Sequence, residues 1–381
     1  MCILFLSYQP SDPACQYVLV AANNRDEFFN RRTFAACYWS DYPTILAGRD
    51  VGNSSNALST WLGITTTGRF SALTNVRCHA KDIRPDAISR GQVVTDYLLG
   101  TSSPTEYCRT VLKHGSDYNG FNLVTAQLSG SKEAVYCSNV TGSCLQVLQP
   151  GTYGLSNAQL DSPWRKVVYG QERFATIISK VTPSLPKEDL TEELLQLLSD
   201  TTCLHPDPIV PDTGFTEELV KALNSVHVAP TKHAGYSYGT RTSTVLLVDR
   251  QGVVTFTEKT LADPVDPLNP GSTTVKILNS CYLILLLLFK NADSNSDLVL
   301  LDCCTNDADQ DVIPELPAPV PELCLSYPPP APELPPPVPE LPPPVPELPP
   351  PVPELPPPVP ELPAPVPWPL AAEVDSVKSY N

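Results

Sequence analysis

The stretch VLVAANNRDEFFNRR, residues 18–32, combines the pattern of a core strand with a cluster of charges. Five apolar residues, 18–22, are typical of a buried strand, and two amides, an arginine and two carboxylates follow them without a break. Burying an unpaired charge costs on the order of several kcal/mol. Residues 23–27 are therefore predicted to be solvated, paired with one another, or engaged with another molecule.

Strands surround this stretch along the chain. Residues 2–8, CILFLSY, are rich in apolar and aromatic side chains and predict a strand that precedes it. Three hairpins are predicted at 59–75, 121–139 and 238–260, and each has a glycine in its turn, where a positive φ is needed. The folded part is thus expected to consist largely of antiparallel strands.

Two blocks between the hairpins, 87–115 and 162–200, have the apolar spacing of helices. Ser162 followed by Pro163 is typical of an N-cap and a first helical residue, so the second block is predicted to begin there. Alternating blocks of strands and helices favour an α+β fold in which antiparallel sheets are covered by helices.

The C-terminal part has a different composition. Of the 44 prolines, 28 lie between Pro314 and Pro369, where the motif ELPPPVP recurs. Because proline fixes φ and lacks an amide donor, 314–369 is predicted to be a disordered or polyproline II tail, followed by a C-terminal tail at 370–381. Its P-x-x-P spacing leaves two interpretations open, an inert spacer and a ligand for an SH3 or WW module; the absence of basic residues from the repeats favours the spacer.

The folded domain is predicted to cover 1–275, with 276–313 as a divergent linker that is first apolar and then acidic. STTVKIL, 272–278, is the candidate for a closing strand. The apolar run CYLILLLLF, 281–289, is well short of the roughly 20 residues that a membrane-spanning helix needs, so no membrane span is expected.

The charge distribution bears on the possible partners, and the cysteine spacing bears on the state of the thiols. The net charge is −16, but residues 291–381 carry 15 acidic residues and one lysine, which leaves 26 acidic and 24 basic residues before them. That balance supplies no basic stripe for phosphates, so no nucleic-acid partner is predicted. The 12 cysteines show no CxxC pair and no zinc-like spacing with the histidines, which is typical of free thiols in a reducing, cytoplasmic compartment.

Cys2 is the first candidate site residue. Removal of Met1 would leave an α-amino group beside a thiol at the start of a core strand, and such an amine can act as the base for its own side chain. A hydrophobic cysteine that happens to come second is the alternative interpretation.

Other candidates lie where strands end or leave the core. Asn75 ends its hairpin, Asn157 follows a strand, and Arg241 lies in a strand among small hydroxyl residues. Amide groups can donate to a developing oxyanion, while Arg25 and Asp26 can orient an amine and a thiolate. Each residue has an ordinary structural alternative, a turn, a cap or an ion pair, and together they resemble a site.

Residues 22–31, ANNRDEFFNR, contain the Asn-Arg-Asp-Glu signature of the NRDE family. From residue 1 to about residue 260 the chain resembles this family, that of Transport and Golgi organization protein 2. Further stretches that fit its pattern are MCI (1–3), TWLGIT (60–65), ALTN (72–75), YNGFNL (118–123), PGTYGLSNA (150–158), PWRK (163–166), YGTRT (238–242) and VTFTE (254–258).

The resemblance implies a four-layer αββα sandwich of the N-terminal-nucleophile-hydrolase type. It also implies a catalytic constellation, because the cysteine hydrolases of that fold have an N-terminal cysteine, an arginine, an aspartate, two asparagines and a late arginine. The matching positions here are Cys2, Arg25, Asp26, Asn75, Asn157 and Arg241.

Arg25 and Asp26 are adjacent in this chain, and neighbouring side chains on a strand point to opposite faces. Asn23 or Asn24 is therefore an alternative member of the site. In the catalytic interpretation, Glu27 or Arg31 closes the charge network outside the pocket. The alternative is that Arg25, Asp26 and Glu27 form a structural ion network that fixes a sharp strand exit.

Two function classes follow from the resemblance. The first is a role in Golgi organisation, protein secretion and lipid or haem homeostasis, with an apolar ligand such as haem or an acyl-CoA in a pocket near Cys2, no required cofactor, and a location in the cytoplasm near Golgi or mitochondria. The second is a cysteine amidohydrolase that cleaves linear C–N amide bonds through an acyl-thioester. A histidine or a cysteine could serve as an axial ligand of haem. The five histidines are predicted to lie in loops, and none is part of a CxxCH attachment motif.

Overall fold

The structure is a computed structural model. It describes residues 2–52, 58–140, 144–160, 162–233 and 235–261, together with the backbone of 273–281. The chain divides into two units, 1–310 and 311–381. The Pro-rich repeats, most of the predicted linker and the apolar run after residue 281 lie outside the described residues.

Fourteen strands and five α-helices form within the described residues. The strands are β1 (Cys2–Tyr8), β2 (Tyr17–Phe28), β3 (Thr33–Tyr38), β4 (Ile45–Asp50), β5 (Leu62–Thr65), β6 (Arg69–Asn75), β7 (Phe121–Gln127), β8 (Glu133–Ser138), β9 (Cys144–Val147), β10 (Gly151–Leu155), β11 (Thr231–His233), β12 (Tyr236–Asp249), β13 (Val253–Leu261) and β14 (Thr273–Cys281). The helices are α1 (Gly91–Leu99), α2 (Pro104–Lys113), α3 (Arg165–Ser179), α4 (Lys187–Leu198) and α5 (Glu217–Ala222).

The strands form two antiparallel seven-stranded sheets. The first sheet has the order β10-β1-β2-β12-β13-β14, with β11 paired to β12, and the second has the order β3-β4-β5-β6-β7-β8-β9. The three predicted hairpins are confirmed as β5–β6, β7–β8 and β12–β13. Gly68, Gly130 and Gly252 have the positive φ that their turns require.

Three apolar layers hold the sheets and helices together. Between the sheets, alternate residues of β1 such as Leu4 and Leu6 pack on residues of the second sheet such as Phe70. Ile3 and Phe5, on the opposite face of β1, pack against α3 and α4, while α1 and α2 cover the outer face of the second sheet. The αββα arrangement predicted from the resemblance is therefore confirmed.

Both helical blocks are confirmed, with one correction. The start predicted at Ser162 and Pro163 is wrong, because α3 begins at Arg165 with Trp164 as its N-cap. The Arg165 amide donates instead to Asp207 Oδ2 at 2.7 Å, so a carboxylate more than 40 residues away caps the helix. By contrast, α2 is capped locally, since Ser103 and Glu106 form a capping box.

Strands β3 and β4 were not predicted, and they complete the edge of the second sheet beside β5. The candidate closing strand is confirmed as β14, which pairs with β13, and the predicted domain boundary at residue 275 lies within it. In the described residues, no helix is both long enough and apolar enough to cross a bilayer.

Candidate functional site

The candidate site lies where β1, β2 and β12 end together in the first sheet. Cys2 is directly opposite Arg25 in the pairing of β1 with β2. On the other side of β2, Asp26 is opposite Thr240 and Arg25 is opposite Thr242. Residue 241 is thus an extra residue on β12, a β-bulge that redirects its side chain.

A cavity of about 840 Å³ opens at this end of the sheet. Of the predicted site residues, Cys2, Arg25, Asp26 and Asn75 line it. Apolar side chains form much of the remaining wall, namely Phe28, Trp61, Leu73, Val76, Ile83, Ile88, Phe215, Leu219 and Leu223. Further polar and charged residues in the lining include Glu27, Arg31, Asp50, Arg77, Cys78, Arg84, Arg90, His233 and Tyr238.

Arg25 joins the two sheets through an ion network. Its guanidinium lies 2.7 Å from Asp50 Oδ2 and 3.8 Å from Glu27 Oε2, and it stacks over the Trp61 ring at 4.6 Å. Arg31 contacts the same Asp50 carboxylate at 3.0 Å. An ion network at the strand exit therefore exists, but its members differ from the predicted set: it joins Arg25, Glu27 and Arg31 to Asp50 on β4.

Electrostatic interactions within the network stabilise the charged forms of Asp50 and Arg25. Burial alone would raise the pKa of Asp50, but the guanidinium groups of Arg25 and Arg31 outweigh it and hold that pKa below its ordinary value. The pKa of Arg25 rises because Glu27 and Asp50 more than offset its burial. The network is thus a compensated charge cluster at one side of the cavity.

Asp26 lies on the opposite face of β2, as neighbouring strand residues must. Its Oδ1 accepts a hydrogen bond from the Thr240 hydroxyl at 2.6 Å, and its backbone carbonyl accepts one from the Tyr238 hydroxyl at 3.0 Å. Burial raises the pKa of Asp26, against the lowering effects of the chain's amino terminus and of Lys166. Arg25 and Asp26 therefore reach the same cavity from opposite faces.

Cys2 is 6% exposed at the start of β1. Burial raises the pKa of its thiol, while the positive charge of the amino terminus and the backbone amide of Asp26 oppose the shift. The Cys2 carbonyl accepts a hydrogen bond from the Ser156 hydroxyl at 2.8 Å, which fixes the first residue of the strand. At neutral pH the thiol is thus held mainly in its protonated form.

Two predicted residues lie outside the lining. Asn157 is fully buried and donates from Nδ2 to the Asn75 carbonyl at 2.8 Å, so it positions a lining residue. Arg241 donates to the Phe29 carbonyl at 2.8 Å and to the Arg31 carbonyl, so it organises the turn after β2. Both residues act in this structure through the backbone of the site.

The alternative residues Asn23 and Asn24 lie deeper in the sheet. Asn23 donates to the Ile3 carbonyl at 2.9 Å. Asn24 donates to the Leu198 carbonyl at 2.7 Å and accepts from the Ser243 hydroxyl, which ties β2 to α4 and β12. Neither asparagine is in the cavity lining.

Lys166 is a member of this region that sequence reasoning did not single out. It is 1% exposed, and its ammonium has no hydrogen-bond partner among the described residues. Burial lowers its pKa to about 8, with Asp26 opposing the shift and Arg77 adding to it. A signal was present, because 166, 170 and 174 follow the i, i+4, i+8 spacing of one helix face, and Gly170 and Phe174 are buried.

Gly170 shows how closely that face approaches the sheet. A Cβ at this position would lie 2.1 Å from the Phe5 ring, so glycine is needed for α3 to pack on β1. This contact brings the first turn of α3, with Lys166, against the sheet beneath Asp26.

The lining contains residue types that can ligate haem iron. His233 lies in β11 rather than in the loop that was predicted, with its ring 5.0 Å from Phe215 and 6.0 Å from Phe28. Cys2 and Cys78 are the lining thiols. These residues and the aromatic wall are compatible with a flat apolar ligand, while the described residues include no cluster of three metal-ligating side chains.

The sequence profile of the Transport and Golgi organisation 2 family matches residues 1–263. The chain belongs to this family. It is 39% identical over 266 residues to the mouse (Mus musculus) Transport and Golgi organization 2 homolog, covering 69% of this chain and 94% of that protein. The human (Homo sapiens) homolog shows the same identity and the same coverage.

Among solved structures, the penicillin V acylase of Agrobacterium tumefaciens is similar at 12% identity, with 74% of this chain and 93% of that chain covered and a TM-score of 0.37. The family match includes β1 to β13 and every residue named above for the site. The cavity therefore lies within the part of the chain that defines the Transport and Golgi organisation 2 family.

Proposed function

We propose that this protein binds an apolar or amphiphilic small molecule in the cavity beside Cys2, and that it contributes in this way to Golgi organisation, protein secretion and lipid or haem homeostasis. The observation that carries the proposal is the cavity itself, about 840 Å³ with apolar walls and a charged end. The names of the relatives, which refer to transport and Golgi organization, support the Golgi setting.

The lining contains both apolar and cationic side chains, which suits an amphiphilic ligand. Leu73, Leu219 and Phe215 present apolar surface, while Arg77 and Arg90 bring positive charge to the lining. Burial lowers the pKa of Arg77 to about 10, which is still far above neutral pH. An acyl chain or a porphyrin would lie against the apolar wall, with its carboxylate or phosphate near the arginines.

The test is a binding titration in solution with three probes, a fluorescent fatty acid, an acyl-CoA and haem. Ala87 lines the cavity and is half-buried, so Ala87→Trp should fill space that the ligand needs and weaken binding by about tenfold, or about 1.4 kcal/mol. Ala14→Trp, at an exposed position outside the lining, is the matched control and should bind as the unmodified chain does. Failure of all three probes to bind would refute the proposal.

A second candidate function, a cysteine amidohydrolase acting on linear C–N amide bonds, is favoured by the position of Cys2 in the cavity at the start of β1. After removal of Met1, the thiol sulfur would attack the amide carbon and its proton would pass to the Cys2 amine. The C–N bond would then break, the leaving amine would take that proton, and water would hydrolyse the remaining thioester.

The raised pKa of the Cys2 thiol opposes this second function unless the neighbouring amine takes the proton. Intact mass before and after brief iodoacetamide treatment tests it directly. Loss of Met1 with rapid alkylation of Cys2, and amide hydrolysis that Cys2→Ala abolishes, are the results expected of an enzyme. Retained Met1, or an inert Cys2, would exclude the hydrolase.

A further inference from the structure

Three polar side chains of the cavity lining, on Ser59, Asn75 and Arg90, have hydrogen-bonding capacity that the described residues do not use. Ser59 is 7% exposed, and its hydroxyl makes no hydrogen bond within the described residues. The side-chain amide of Asn75 makes none there either. The Arg90 guanidinium makes one, from Nη1 to the Gly120 carbonyl at 3.1 Å. Because polar groups inside a protein are normally hydrogen-bonded, these unused donors point to an acceptor that a ligand supplies.

Arg90 and Asn75 lie close together in the cavity wall. The Gly120 carbonyl accepts a hydrogen bond from the Arg90 guanidinium and a second one from the Val76 amide at 2.9 Å. Val76 directly follows Asn75, the last residue of β6. The shared acceptor therefore places the guanidinium next to the backbone that carries the Asn75 amide.

Ser59 lies beside the same arginine. A Cβ on Gly91, the residue after Arg90, would lie 2.0 Å from Ser59 Oγ, so the chain passes directly over this hydroxyl. The Thr60 amide donates to the Gly91 carbonyl at 3.4 Å and holds the two segments together. Ser59, Asn75 and Arg90 thus form one polar patch of the lining.

The positive charge of Arg90 is not compensated in the way that the charge of its neighbours is. The lining has five arginines and three carboxylates, and Arg25 and Arg31 both pair with Asp50, at 2.7 and 3.0 Å. Arg90 has no ion pair with any of the described residues. Burial lowers the pKa of Arg90, because its guanidinium loses hydration.

The chemistry of the patch selects an anion. A guanidinium has five N–H donors and no acceptor, and a hydroxyl and a side-chain amide can also donate. Carboxylate and phosphate oxygens accept such bonds, and the planar fork of arginine can bind two of them at once. The apolar residues Leu73 and Trp61 line the same cavity two positions along the chain from Asn75 and Ser59, so apolar surface adjoins the patch.

We propose that Arg90, Ser59 and Asn75 bind the anionic head group, a carboxylate or a phosphate, of the amphiphile that occupies the cavity, so that the protein selects acidic over neutral lipids. The inference rests on the proposed ligand-binding function and deepens it, because it names the class of ligand and the residues that recognise it. A neutral lipid would leave the guanidinium in the cavity wall without a counter-charge.

The test is a calorimetric titration of the full chain at neutral pH with three probes that share one alkyl chain, decanoate, decyl phosphate and decanol. At least one of the two anions should bind about tenfold or more tightly than decanol, because hydrogen bonds to a charged group are the strong ones. The stronger of the two anions then identifies the head group as carboxylate or phosphate.

Substitutions in the patch should affect the anions alone. Arg90→Gln should weaken binding of the preferred anion by about tenfold or more and leave decanol within about twofold. Arg90→Lys keeps the charge but loses the planar fork, so its loss should be smaller. Ser59→Ala should cost about threefold on the same anion. Arg173→Gln is the matched control, because it removes the same charge from an exposed arginine outside the lining and should bind as the unmodified chain does.

Thermal unfolding should show an intact fold in each variant. If Arg90→Gln fails to fold, Arg90→Lys and Ser59→Ala carry the test. Equal affinity of the unmodified chain for decanol and both anions would overturn the proposal and leave the ligand-binding function standing. Unchanged anion binding in Arg90→Gln, or equal losses for decanol and the anion, would overturn it as well. A chain that binds none of the three probes also overturns it, and the larger probes named above then decide the ligand-binding function separately.

Discussion

Arg25 and Lys166 are two buried cations on opposite faces of the same sheet, 3% and 1% exposed. Arg25 lies between the sheets with the Asp50 carboxylate 2.7 Å away and Glu27 and Trp61 close by. Lys166 lies on the helix side, where its ammonium has no hydrogen-bond partner in the described part of the chain. The same kind of charge is thus compensated on one face and left without a direct partner on the other.

The two buried cations therefore have different effects on the region around the cavity. The compensated cluster fixes β2 against β4 and forms one rigid side of the cavity. The uncompensated lysine lowers stability, because a buried ammonium loses its hydration, and it keeps positive charge near Asp26 and Cys2. Positions that lower stability in this way are enriched at functional sites.

The largest expected loss of stability comes from removing the carboxylate that neutralises Arg25. Asp50→Asn removes the carboxylate but keeps its shape, so it leaves a buried guanidinium with a weaker partner and should lower the free energy of unfolding by about 3 kcal/mol. Urea unfolding at pH 7 measures this loss. Asp41→Asn is the control, because Asp41 pairs with Arg49 at 3.4 Å at the surface and should cost less than about 1 kcal/mol. Equal losses would remove the contrast between the buried and exposed pairs.

Lys166→Met should change stability in the opposite direction, because it is expected to raise the free energy of unfolding. The folded pKa of about 8 lies below the ordinary 10.5, so between these pH values the unfolded chain binds more protons and the stability of the unmodified protein rises with pH. Below pH 8 the unmodified protein carries the full cost of the buried ammonium. The variant lacks this cost and should be more stable by roughly 3 kcal/mol. That advantage should shrink as pH rises toward 10.5. The measurement is the difference in unfolding free energy between the two proteins at pH 7, 8, 9 and 10.

Lys180→Met is the matched control, since Lys180 is exposed and pairs with Glu193 at 3.5 Å. Its effect on the free energy of unfolding at pH 7 should be small. A Lys166→Met variant that is less stable than the unmodified protein at pH 7 would show that the ammonium is compensated in solution, and the contrast with Arg25 would disappear.

Thr240→Val should produce the smallest effect of the three. Its hydroxyl donates to Asp26 Oδ1 at 2.6 Å and accepts from the Val228 amide at 2.9 Å, and valine can do neither. The expected loss is about 1–2 kcal/mol, measured by urea unfolding, and Thr240→Ser should restore most of it. If Thr240→Val costs nothing while Thr240→Ser lowers stability, packing of the methyl group, which valine keeps, rather than hydrogen bonding holds this position.

Much of the architecture could be predicted from local patterns. The hairpins around Gly68 and Gly252 follow from a turn residue that tolerates positive φ between strand-forming segments. The helical blocks follow from apolar spacing. The start of α3 could not be predicted in this way, because its cap is Asp207, a residue that reaches Arg165 only in the folded chain.

The candidate site likewise has features that the local sequence predicts and features that it does not. Neighbours within a few residues are enough to predict that an arginine and two carboxylates follow a core strand, that Cys2 begins another, and that Asn75 ends a third. The folded chain was needed to show that Asp50 neutralises Arg25, that Asn157 and Arg241 act through backbone carbonyls, and that Lys166 has no direct partner in the described residues. Burial and charge compensation depend on atoms brought together from distant parts of the chain, and they determine which groups keep their protons.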